Sequence, residues 1–330
     1  MNYRCLFFAL GLFLSSASGQ VKPAWKAPRA ADGHPDLQGV WANNNATPLE
    51  RPKELAGRAS LTDEEVAAMK KKAAELYNGA GDAAFGDTIF QTVYAATKGT
   101  APASGPHKKA EHEFDAGTGD YSSEWIVARE WDNRTSLITD PPDGRMPPMT
   151  TEGQARRAAN LARMSRPATS PEDRGLQERC ITYGSPQLTA GYQSYTQIHQ
   201  TSDAVVLVTE MIHDARIIPL DGRAHIPANI QKWSGDSRGH WEGDTLVVDT
   251  TNYKPRSFMS SSSEKLHVTE RFTRTGPDTL KYEITIDDPG AYEKPWRAVV
   301  PFHMLPDTDL IETYCENEKD EKHEGKDQPN

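Results

Sequence analysis

Cysteine is scarce in this chain, with three among 330 residues, so the fold does not rest on a dense disulfide framework. No G-x-G-x-x-G fingerprint or phosphate loop occurs, which removes nucleotide cofactors from the expected chemistry. The ten histidines never fall in H-x-H or H-E-x-x-H spacing and C-x-x-C is missing, so no metal or other cofactor is assigned. Long hydrophobic runs are lacking too. The leading one, Cys5 to Leu14, covers about ten residues where a membrane helix needs about twenty, and no stable membrane insertion is expected. Basic residues are outnumbered 37 to 47, a formal charge of −10, which argues against nucleic acid and anionic lipid as partners.

What is present is enough chain for a substantial core. At this length folding buries roughly 70–75% of the surface that the unfolded chain exposes. Residues 1–19 carry Arg4, then the apolar run, then Ala17-Ser18-Gly19, the order of a secretory signal with cleavage before Gln20. A periplasmic or secreted location follows. In that compartment the remaining cysteines, Cys180 and Cys315, are expected to form a disulfide.

Residues 20–123 read as an irregular wrap with one clear helix, where Thr62 and Glu65 form a capping box ahead of Val66, Met69, Ala73, Leu76 and Tyr77 at helical spacing. Residues 124–315 alternate β-branched and aromatic residues with turn signals. Strands are expected over 124–130, 135–139, 193–200, 204–212, 215–220, 238–242, 244–251, 265–275, 278–287, 296–303 and 309–315. Turns at 220–223, 241–244 and 275–278 are short enough to require antiparallel neighbours. Helix starts appear at Thr151 with Gln154 and at Ser170-Pro171 with Asp173. The alternating charges of 316–330 are expected to form a disordered tail. The fold class is mainly β, an antiparallel barrel of lipocalin-like or related type with a few short helices. Closure removes exposed edges, and a two-sheet sandwich is the alternative.

Three polar groups stand out. Alternation along 265–275 puts Glu270 on the face of Val268 and Phe272, and Arg271 on the other. A carboxylate inside must be paired or shifted in pKa, so Glu270 is either a salt-bridge partner or a general acid or base. Asp249 raises the same question. Glu210, His213, Asp214 and Arg216 crowd seven residues between apolar runs. A turn there would face Glu210 with Arg216 and leave His213 and Asp214 at a barrel rim. Asp236, His240 and Trp241 belong to a run containing G-x-S-x-G at 235–239, but a turn and strand follow where a nucleophile elbow needs a helix, so Ser237 is no nucleophile. Tryptophans at 41, 125, 131, 233, 241 and 296 could stack on rings or fill the core.

The stretches Glu210–His225, Gly235–Asn252, Leu266–Pro289 and Lys294-Pro295-Trp296, with Pro35–Trp41 and Arg179-Cys180, resemble a large family of secreted, β-rich bacterial proteins, mostly hypothetical and frequent in soil bacteria. The resemblance spans nearly the whole chain after the leader and implies compartment and architecture, not a reaction. One departure is that Cys315 is followed by Glu316-Asn317-Glu318-Lys319 instead of a His-Glu-Gly-Asn-Tyr-like run. Two functions are carried forward. One is an extracytoplasmic lyase, hydrolase or isomerase in which His213, Asp214 or Glu270 moves protons and Arg216 or Arg271 holds a small sugar-derived or aromatic substrate, with Glu210, Asp236, His240, Trp241 and Asp249 lining the pocket. The other is a non-catalytic periplasmic binding protein for a lipophilic or aromatic ligand. Structural service at the cell envelope is a weaker third.

Overall fold

The computed structural model describes residues 25–76, 88–100, 129–182, 186–188, 195–306 and 308–310. Among the described residues ten strands form one antiparallel sheet: β1 (Gly39–Ala42), β2 (Ile138–Asp140), β3 (Tyr195–Gln200), β4 (Ala204–Thr209), β5 (Ala215–Pro219), β6 (Asp236–Glu242), β7 (Thr245–Thr251), β8 (His267–Arg274), β9 (Thr279–Asp287) and β10 (Trp296–Met304). Their order is β5-β4-β3-β1-β10-β9-β8-β7-β6, with β2 also on β10. The sheet curls into a nearly closed barrel, and β5 and β6 meet at its seam. Gly239 makes that approach possible: a Cβ there would stand 2.7 Å from Leu220 Cδ2 and 2.8 Å from Ile218 Cγ2.

Strict alternation builds the core. Leu246, Val248, Val268, Phe272, Leu280, Tyr282, Ile284, Ile286, Trp296, Ala298, Val300 and Phe302 fill the barrel from β7 to β10, and Trp41, Ile198, Val205 and Ile218 complete it. The β6–β7 and β8–β9 connections are the tight turns expected at 241–244 and 275–278, and Gly243 supplies the left-handed φ of +60° in the first. The turn at 220–223 does not join neighbours. Residues 220–235 instead cross the seam from β5 to β6 as a long connection.

The strand β1 has no mark in the sequence, because Gly39-Val40-Trp41-Ala42 is too short to show a period. It nevertheless sits mid-sheet, between β3 and β10. Of the strands expected at 124–130 and 309–315, residues 124–128 and 311–315 lie outside the described residues. Glu130 makes only an isolated bridge to Asn45, and 308–310 are not strand. The tail 316–330 is likewise outside.

Among the described residues there are three α-helices: α1 (Asp63–Leu76), α2 (Thr88–Thr97) and α3 (Thr151–Met164). The Thr62–Glu65 capping box of α1 is present in both directions, at 3.0 and 3.2 Å. Helices α1 and α2 share a small separate core of Leu55, Leu61, Val66, Met69, Phe90 and Val93. Helix α3 is capped one residue earlier than its sequence suggests, by Thr150, whose hydroxyl accepts from Gly153 N–H. The Ser170 start leads only to one 3₁₀ turn over Pro171–Asp173.

Candidate functional site

The barrel interior holds an ion pair. Glu270 is fully buried and receives Arg216 in a bidentate fork, Nη1 to Oε2 at 2.6 Å and Nη2 to Oε1 at 2.8 Å, while the Tyr282 hydroxyl donates to the same carboxylate. Burial works against the charge on Arg216, and the Glu270 carboxylate more than offsets it, holding the guanidinium pKa above its usual value. Burial first, then the Glu270 charge, pushes the Tyr282 phenol well up. This corrects the expected facing of Glu210 and Arg216. In register Arg216 lies opposite Leu207, its side chain crosses the interior to Glu270, and Glu210 is buried at the far end of β4. A carboxylate locked in this fork is the structural partner of an arginine and a poor general base.

The rim segment rearranges the other expectations. Met211–His213 form a 3₁₀ turn with Ile212 at φ +65°, and the His213 side chain lies outside the described residues. Asp214 Oδ2 accepts from the hydroxyls of Thr182 (2.7 Å) and Ser234 (2.9 Å). Asp214 and Arg216 do meet, on the wall of a cavity of about 40 Å³ with Gln187, Thr196, Thr209, Tyr282 and Phe302. That is room for about three waters, too little for a sugar or an aromatic ring. Trp, Tyr, Phe and Ile side chains among the described residues fill the rest of the barrel interior, where a substrate pocket was expected.

Alternation sends several expected site residues outward. Arg271 pairs with Glu242 at 2.8 Å, and His240 reaches the same carboxylate at 3.2 Å; all three are solvated. They are surface charges and not pocket lining. Trp241 points in at the barrel end and stacks on His34, with centroids 4.5 Å apart.

Asp236 and Asp249 do come together, on the outer face. The 220–235 connection lays His225 between them, Nδ1 at 3.1 Å from Asp236 and Nε2 at 2.8 Å from Asp249, while His267 Nε2 stands 2.5 Å from the other oxygen of Asp249. The His267 hydrogen bond chiefly lowers the pKa of Asp249, and that bond in turn raises His267. Burial opposes the charge on Asp236, but the Ile226 N–H, Lys232 and His225 hold its pKa low. Among the described residues no group of His, Cys, Asp and Glu has the arrangement to hold a metal ion.

A wider cleft lies elsewhere, about 570 Å³ between the C-terminal half of α3, the 172–182 segment, Trp233 and the loop after β7. Arg163, Arg166, Arg174, Arg179 and Arg256 line it in a chain of net charge −10. Asn160, buried in α3, offers one carbonyl oxygen to two guanidiniums: Arg163 Nη2 at 2.7 Å and Arg256 Nη1 at 3.4 Å. Burial first, then the charges of Arg163 and Arg179, depress the pKa of Arg256. Of the acidic lining, Asp173 is committed to Arg166, Thr169 and Ser170. Glu178 accepts from Gly175 N–H, and Glu172 also lines the cleft. No carboxylate among the described residues pairs with Arg163, Arg179 or Arg256. Trp233, with Lys254 Nζ 4.8 Å from its ring centroid, and Phe258 add flat apolar walls.

Sequence reasoning missed this cleft. Its one visible signal is arginine density, six between Arg156 and Arg179; Arg256 arrives from a loop remote in sequence. The bridge expected from Cys180 ends on Cys315, outside the described residues. Among the described residues no helix is long and apolar enough to cross a membrane. Comparison with protein-family models, curated proteins and solved structures gives no match.

Proposed function

We propose that this protein is an extracytoplasmic binding protein for a small organic anion with a flat apolar body, such as an aromatic carboxylate, held in the cleft beside α3. The observation that carries the reading is that Arg163, Arg179 and Arg256 converge with no carboxylate among the described residues paired to any of them, two of them on the neutral oxygen of Asn160. Like charges held together in a partly dry site gain most from an anion that enters between them. Trp233 and Phe258 suit the ring. Export by the 1–19 leader, a Cys180–Cys315 disulfide and membership of the secreted β-rich family belong to the same proposal, supported by Arg4, the apolar run and the long motifs quoted above. Calorimetric titration of the exported chain with benzoate-type acids, sugar acids and their neutral amides tests it. The acids bind, the amides do not, and Arg256→Gln weakens binding about 30-fold, the equivalent of one charge-assisted hydrogen bond of about 2 kcal/mol. Equal heats for acids and amides would contradict the reading.

A second reading, an acid–base enzyme of the lyase, hydrolase or isomerase type, is favoured by one observation, the His267–Asp249 contact of 2.5 Å on a half-exposed imidazole. It requires that a bound acid be converted and that His267→Gln abolish the conversion.

A further inference from the structure

Met146, Met149 and Met259, three of the eight methionines in the chain, gather on the barrel core around Tyr292. Two of their sulfurs converge on one atom. The Tyr292 hydroxyl stands 3.2 Å from Met259 Sδ and 3.7 Å from Met146 Sδ, with Ser261 Oγ at 3.4 Å. A phenol has a single hydrogen to donate, so it cannot serve both thioethers and the serine at once. At least one sulfur therefore turns lone pairs toward that point without receiving its hydrogen. Backbone contacts fix the arrangement. Met146 N–H donates to Glu50 Oε1 at 2.9 Å, Met259 N–H donates to Ser262 Oγ at 2.9 Å, and Met149 forms an isolated β-bridge with Tyr292. Pro147 and Pro148 stiffen the link from Met146 to Met149. Tyr292 is buried, whereas Met146 and Met259 are half-buried and keep some surface in solvent.

The donor set selects a class of ligand. Thioethers are soft, polarisable and uncharged, and soft ligands of this kind suit copper(I), whereas calcium, magnesium and manganese take oxygen. Zinc takes thiolate, imidazole or carboxylate, and among the described residues none of these is on the Tyr292 hydroxyl. Tyr292 supplies no anionic oxygen either. Burial first, with the charges of Asp288 and Glu50, pushes its phenol pKa above the ordinary value, against the Ser261 hydrogen bond and Arg157. The same two carboxylates favour a positive charge in this corner. A metal–sulfur bond of about 2.3 Å, the zinc–thiolate value, lets one ion bridge sulfurs up to about 4.6 Å apart. Two atoms in contact with the same oxygen can adopt that separation, and the three rotatable bonds of each methionine supply the adjustment. We infer that Met146 and Met259 form a binding site, beside the Tyr292 hydroxyl, for a soft monovalent cation of the copper(I) and silver(I) class. This site does not depend on the arginine cleft.

The probe is silver nitrate in chloride-free buffer, because silver(I) needs no reductant. The readout is methionine-methyl NMR of the whole protein, with Met146 and Met259 assigned by the loss of each signal in Met146→Leu and Met259→Leu. The expected result is that both methyls move along one saturating curve, while the methyl of Met69, buried in the α1–α2 core, stays still. Zinc and potassium salts move neither. Exchanging Met for Leu conserves volume and leaves the barrel folded, and each exchange weakens silver binding at least about tenfold, since even groups that only support a metal ligand matter that much. Copper(I), held by ascorbate without oxygen, shifts the same two methyls. Shifts spread evenly over all the methionines, shifts that do not saturate, an equal response to zinc, or unchanged silver affinity in either Leu variant would overturn the proposal. The outcome is separable from that of the cleft, because Met146→Leu leaves the response to benzoate-type acids unchanged.

Discussion

Replacing one partner of the Arg216–Glu270 pair should be among the most damaging single changes in the molecule. Glu270 has no exposed surface and the Arg216 side chain keeps 9%, so Glu270→Leu leaves a guanidinium that cannot neutralise by losing its proton, and Arg216→Met leaves an unanswered carboxylate. Breaking a buried pair from one side costs about 3–5 kcal/mol, whereas replacing both charges with apolar groups of similar volume is often close to neutral. In the Arg216→Met/Glu270→Leu double variant the main residual cost is the Tyr282 hydroxyl, which loses its acceptor, about 1–3 kcal/mol. Adding Tyr282→Phe should recover most of that. Equilibrium urea unfolding followed by tryptophan fluorescence measures all four variants. With an m value of about 3 kcal/mol/M, a 4 kcal/mol loss moves the midpoint by about 1.3 M. The singles should each fall by that order, and the double should be more stable than either, giving a coupling of at least about 3 kcal/mol. Additive losses, or singles costing under about 1 kcal/mol, would refute the description of a dry, mutually dependent pair and reopen Glu270 as a solvated acid–base group.

Three further outcomes follow from local geometry. The fork from Arg58 and the Thr62 N–H hold Glu65 at a pKa of about 2. Its contribution to the start of α1 is complete above the unfolded value of about 4.3 and disappears as pH falls through the folded value. Amide exchange in α1 should rise between those limits, and Glu65→Gln should remove the dependence. His267 is raised by Asp249, so that contact stabilises fully below the unfolded pKa of about 6.5 and is lost as pH rises through the folded one. Asp249 is depressed and sets the acid edge. The His267 imidazole should titrate above 6.5 by NMR and return toward it in Asp249→Asn; an unmoved midpoint would discount the contact. At the seam, Gly239→Ala drives a methyl into Ile218 and Leu220, and should cost about 1–3 kcal/mol in thermal unfolding, while the exposed Gly243→Ala acts only through its φ of +60°.

The barrel was legible where a strand is long enough to repeat its period. The alternations of 267–274 and 279–287 give both the strands and the inward face of Glu270, because one slip would turn Val268 and Phe272 to solvent. Strand β1 was not legible, since four residues cannot display a period and its place between β3 and β10 is set by partners far along the chain. The Glu210–Arg216 pairing looked natural from proximity in sequence, yet an arginine long enough to cross the barrel found a carboxylate 54 residues away. The outward turn of Arg271 and His240 was implicit in the same alternation that turned Glu270 in. The arginine cleft was illegible for another reason. Its parts come from α3, the 172–182 segment, the 220–235 connection and the loop after β7, and no local pattern announces that such irregular pieces converge.

The central functional claim is that Arg163, Arg179 and Arg256, which no carboxylate among the described residues pairs with, act together on one anion. The most direct measurement is the arginine Nε–Hε spectrum, with Arg163, Arg179 and Arg256 assigned by single substitution to Gln, during titration with a benzoate-type acid at low and at high salt. The account predicts that all three resonances shift along a common saturation curve, that affinity falls as salt screens the cleft, and that each substitution weakens the response of the other two. Shifts confined to one arginine, or unchanged by the substitutions and by salt, would contradict it.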